Sequence, residues 1–81
     1  WTHEENLKYI NFLKATKHDF QTQYDRKVKK VFVRLSEYMG TKNKLQCKSH
    51  HQKMMQYCKS VDQVISTIQK QLYRDFEVKL E

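Results

Sequence analysis

The sequence predicts an all-α domain, and three observations carry that prediction. Proline is absent and glycine occurs once in 81 residues, so little in the chain interrupts a helix. The composition is rich in Lys, Gln, Glu and Leu, which favour helices. Apolar residues recur at helical spacing and are separated by patterns that start helices. At this length the chain is one small domain that buries roughly 60% of the surface its unfolded form exposes.

Thr2 followed by Glu5 is a capping-box pattern, and Leu7, Tyr9, Ile10, Phe12 and Leu13 then give helix one, about residues 2–16. Residues 17–24, KHDFQTQY, lack clean periodicity and are read as a connection or a ragged extension of helix one. Asp25 is placed to cap helix two, whose apolar stripe is Val28, Val31, Phe32, Leu35 and Met39. Gly40 then supplies the left-handed residue that commonly ends a helix. Asn43 with Gln46 marks the start of helix three, about residues 44–57, and Ser60 with Gln63 that of a fourth helix. On that last helix Val61, Val64, Ile65, Ile68, Leu72 and Phe76 line one side.

The formal net charge is +7, and it is unevenly placed. Residues 1–59 hold 13 basic and five acidic side chains, net +8, whereas residues 60–81 hold three and four, net −1. A compact basic module suits a polyanion, nucleic acid first and an anionic membrane surface second. The bland alternative is that the lysines only keep a small helical domain in solution. No apolar run approaches the roughly 20 residues that span a bilayer, and no signal-peptide pattern is present, so a soluble protein is expected. The chain begins at Trp1 without an initiator methionine, as expected of a domain excised from a longer protein. Cys47 and Cys58, read as sharing one helix, would lie about 16 Å apart at ~1.5 Å per residue. That exceeds the roughly 7 Å a disulfide tolerates between Cα atoms, so free thiols and a reducing compartment are expected.

The stretch 40–55, GTKNKLQCKSHHQKMM, holds the glycine, a helix start and a polar, basic helix. Helical spacing puts Cys47, His51, Met54 or Met55, and Cys58 on one face, with Lys48, Ser49, Gln52 and Gln56 on the adjoining face. Together with Trp1-Thr2-His3-Glu4-Glu5 and the segment 32–40, the string Leu45-Gln46-Cys47-Lys48-Ser49-His50-His51-Gln52-Lys53 resembles a Myb/SANT-like domain. It is closest to the single-repeat class with a Ser-His-x-Gln-Lys signature, and the resemblance covers about residues 1–57. It implies three helices around spaced aromatic residues, the third helix entering the DNA major groove. Trp1 matches the first tryptophan, Phe32 stands where the second would be and His51 where the third would be. The family's base-reading positions fall on Lys48, Ser49 and Gln52, the face that periodicity also selects. Related homeobox-like modules serve as accessory subunits of DNA adenine methyltransferase complexes, a second expectation of the resemblance.

The resulting expectation is a three-helix Myb/homeodomain-like helix-turn-helix bundle in residues 1–59. To it is added a C-terminal amphipathic helix, residues 60–81, that packs back or serves a protein partner, with Leu72, Phe76 and Leu80 as its far apolar end. In double-stranded DNA, Gln52 suits an adenine edge, Lys48 guanine O6 or N7, and Ser49 either. Lys42, Lys44, Lys53 and Arg34 are expected on phosphates, and His50 on a phosphate or capping a neighbouring helix. Lys27, Lys29 and Lys30 extend the same field or simply solubilise helix two, and His51 is expected in the core. The spacing of Cys47, His51 and Cys58 does not make a zinc site, and no nucleophile, carboxylate pair or glycine-rich loop marks an enzyme. No metal, cofactor, small-molecule substrate or membrane is expected, and the location expected is nuclear. The alternative is a protein-interaction or scaffolding module working through the C-terminal helix.

Overall fold

The computed structural model describes the backbone of residues 1–80 and the side chains of residues 1–22 and 24–74. The chain forms α1 (His3–Ala15), a 3-10 turn (Lys17–Phe20), α2 (Gln23–Val28), α3 (Val31–Met39), α4 (Lys44–Tyr57) and α5 (Val61–Leu80), with no strand among the described residues. The all-helical class is therefore as the sequence predicts.

Local chemistry sets most of the boundaries. Thr2 Oγ1 accepts from the Glu5 amide at 3.1 Å while the Glu5 carboxylate accepts from the Thr2 amide at 2.8 Å, a reciprocal capping box. Asn43 and Gln46 repeat the device at α4, with distances of 2.8 and 2.9 Å. Gly40 ends α3 at φ 74°, the left-handed position that a Cβ disfavours. At α5 the box is offset. Ser60 Oγ accepts from the Gln63 amide, but the Gln63 side chain accepts from the Lys59 amide.

Helix two departs from expectation in three ways. The segment 17–24 is neither a loose connection nor an extension of α1, since it holds the 3-10 turn and begins α2. Thr22, not Asp25, is the cap, and its Oγ1 accepts from the Asp25 amide at 2.9 Å. The expected single helix is broken at Lys30, which adopts φ 50°. In an unbroken helix Arg26, Lys27, Lys29 and Lys30 would stack like charges at i+3 and i+4 spacing, which is unfavourable. The break re-aims the stripe, so that Val28 is exposed while Val31 is fully buried. Among the described residues there are consequently five α-helices and the 3-10 turn.

α1 is the centre of the packing, with α5 along one side and α3 on another, while α3 and α4 meet across the Gly40 turn. Tyr9, Ile10, Phe12 and Leu13 of α1 share one buried cluster with Val31, Leu35 and Met39 of α3 and with Val64, Ile65 and Ile68 of α5. Leu7, expected on the apolar stripe, is exposed instead. Phe20 of the 3-10 turn, read as part of a connection, is buried, which gives that segment its place in the core. Trp1 is half-buried against the cluster. The first turns of α5 thus pack back on the domain. Leu72 joins the edge of the core, and the side chains of Phe76 and Leu80 lie outside the described residues.

Candidate nucleic-acid interface

The geometry of the proposed face follows from what α4 buries. Cys47 and His51 are fully or nearly fully buried, and Met54 and Met55 are half-buried against the core. On the adjoining surface of the helix, Lys48, Ser49 and Gln52 are exposed, with Lys44 and Lys53 beside them. Cys58 is not on this helix. It is the extended residue that ends α4, and its sulfur lies 3.7 Å from the Thr67 hydroxyl. Both cysteines are free thiols, and burial pushes the Cys47 thiol pKa up.

His51 is anchored from across the core, where Tyr9 Oη lies 2.8 Å from its Nδ1. Burial holds the imidazole pKa down to about 4, with Arg26 adding to the effect, and pushes the Tyr9 hydroxyl up. Near neutral pH the tyrosine is therefore the donor, Nδ1 accepts, and the ring proton sits on Nε2. The ring also packs 4.9 Å from Phe20 and 5.7 Å from Phe32, centroid to centroid. A histidine here fills an aromatic core position while its polar edge is satisfied.

The five residues expected on phosphates separate into three groups. Lys44 and Lys53 are exposed on α4. Lys42 lies 3.7 Å from the Glu5 carboxylate and over the Trp1 ring, and Arg34 lies 3.0 Å from Asp19, so each already has a partner. His50 is placed differently from the four cations. Its ring stacks on Trp1 at 3.8 Å, its Nε2 is buried without a partner, and burial holds its pKa near 4. It is neutral near pH 7, and its ring lies against Trp1.

Sequence reasoning missed a cleft of about 830 Å³ between the α2–α3 junction and α4. Lys44, Lys48 and Gln52 line its α4 side, and Arg26, Lys27 and Lys30 its other side. Phe32, Val33, His51 and Met55 contribute the apolar and aromatic part of its lining. The basic run on α2 is visible in the sequence. Its position opposite Lys44 and Lys48 depends on the break at Lys30. Ser49, expected beside Lys48 and Gln52, is exposed but does not line the cleft.

No protein-family model, curated protein or solved structure matches the chain. Among the described residues, no group of three or more His, Cys, Asp or Glu side chains is placed to hold a metal ion. No helix among them is long and apolar enough to cross a membrane.

Proposed function

We propose that this domain is a nuclear, non-catalytic Myb/SANT-like helix-turn-helix module that binds double-stranded DNA through α4. The supporting observation is the exposed, acid-free edge of that helix. Lys44, Lys48, Ser49, Gln52 and Lys53 all face solvent, and no carboxylate of a described residue pairs with any of the three lysines. The B-DNA major groove admits an α-helix and displays a distinct hydrogen-bonding pattern for each base pair. Lys48, Ser49 and Gln52 are the base readers in this reading, and Lys44 and Lys53 the primary phosphate contacts. Lys42 and Arg34, held by the Glu5 and Asp19 carboxylates, reach phosphate only by giving up those partners and are secondary contacts in this reading.

Duplex titration at several salt concentrations tests the proposal. With two to four phosphates neutralised, log affinity should fall against log salt with a slope of about −2 to −4. Lys48→Ala with Gln52→Ala should weaken the preferred duplex by at least about tenfold and flatten discrimination among sequences. Negligible binding at low salt, or affinity indifferent to this pair of substitutions, rejects the assignment.

A further inference from the structure

The cleft between the α2–α3 junction and α4 has two chemistries that a DNA backbone does not satisfy together. Lys27, Lys30, Lys44 and Lys48 line it with no ion pair to a described residue, and no carboxylate is among its lining residues. Like charges held around a concavity repel one another, and an anion seated there relieves that repulsion. Beneath them Phe32, Val33 and Met55 are half-buried, apolar surface that gains from being covered. Lys44, Lys48 and Gln52 stand at i, i+4 and i+8, so the α4 side runs about 12 Å along the helix at ~1.5 Å per residue.

We propose that this cleft docks an acidic amphipathic helix from a protein partner. Its apolar ridge covers Phe32, Val33 and Met55, and carboxylates on either flank reach Lys27 and Lys30 on one side and Lys44 and Lys48 on the other. Helix-in-groove recognition uses apolar anchors at i, i+3, i+4 and i+7, a spacing that suits an elongated cleft. Rigid duplex phosphates answer the lysines but leave the apolar surface wet. A single strand of nucleic acid offers bases to that surface but carries its charges along one edge, whereas the cations here come from two separate elements. The inference goes beyond the duplex reading and stands or falls without it. Where both hold, peptide and duplex compete, because Lys48 and Gln52 belong to both surfaces.

The test uses the whole domain and a fluorescent synthetic helix with leucines at i, i+3, i+4 and i+7 flanked by glutamates. Its control has serines in place of the leucines at unchanged charge, and a thymidine oligonucleotide of equal charge is the second competitor. The leucine peptide should bind at least about tenfold more tightly than the serine peptide and resist displacement by the oligonucleotide. Lys27→Glu with Lys30→Glu, which spares the base-reading residues, should weaken it by at least about tenfold, and Met55→Gln by about fivefold. The Val33 and Met55 methyl resonances of the unsubstituted protein should move on binding, a readout that no folding defect in a variant disturbs. Equal affinity for both peptides, tighter binding of the oligonucleotide, or unmoved methyl resonances at saturation overturns the proposal.

Discussion

Tyr9 Oη and His51 Nδ1, 42 residues apart in sequence, meet at 2.8 Å in the core and tie α1 to α4. Both residues are almost completely shielded from solvent. Removing the hydroxyl strands a buried acceptor, which costs about 1–3 kcal/mol. Tyr9→Phe should lower stability in urea by that amount, whereas Tyr9→Phe combined with His51→Leu should lose less than the sum of the single changes. Strict additivity would show that the hydrogen bond contributes nothing.

The same burial makes stability depend on pH. The His50 and His51 pKa values are depressed from 6.5 to about 4 in the folded state, chiefly by desolvation. Between those values the unfolded chain binds more protons than the folded one, so stability rises with pH across that window. It should be fully present above about pH 6.5 and decline as pH falls toward about 4, with His51 alone contributing on the order of 2 kcal/mol. Chemical denaturation at pH 7.5 and 5 measures the difference, and equal midpoints would contradict it.

Lys30 at φ 50° is the one described residue other than glycine in the left-handed region. That conformation costs a residue with a Cβ roughly 1–2 kcal/mol, partly offset in glycine by its greater chain entropy. Lys30→Gly should therefore stabilise the domain by about 0.5 kcal/mol while removing a charge. Gly40→Ala, at φ 74° with open space around it, should destabilise by about 1 kcal/mol through backbone strain alone. Thermal melts of both variants decide the sign.

Truncation at Ser60 should unfold the domain. It removes Val64, Ile65 and Ile68, all buried in the common core. At about 1.5–3 kcal/mol for each aliphatic side chain, that loss approaches the roughly 5–15 kcal/mol of a typical domain. Ending the chain after Arg74 keeps those residues and should leave most of the stability. A cooperative melt from the shorter fragment would show that α5 is a separate appendage.

Much of the fold was legible because its determinants are local. The capping boxes at Thr2 and Asn43 and the stop at Gly40 each need only neighbours within a few residues, and they stand where the sequence places them. The break in helix two was not legible because the apolar spacing continues across it, from Val28 to Val31, Phe32 and Leu35, and spacing alone does not show that Lys30 leaves the helical conformation. The phosphate candidates were legible as cations but not as partners. Asp19 lies 15 residues before Arg34, and Glu5 lies 37 before Lys42, so neither ion pair is a feature of local sequence.

By itself the sequence determined the helical class, the ends of α1, the stop of α3 at Gly40, the start of α4, and which edge of α4 stays polar, since these follow from backbone hydrogen bonding and a periodicity of 3.6 residues. Tertiary structure alone decided that His50 stacks inward on Trp1, that His51 answers Tyr9, and that two basic segments face each other over an apolar cleft. Those relationships depend on how helices distant in sequence pack together: burial then sets whether a histidine is charged, and position sets whether a cation meets a carboxylate.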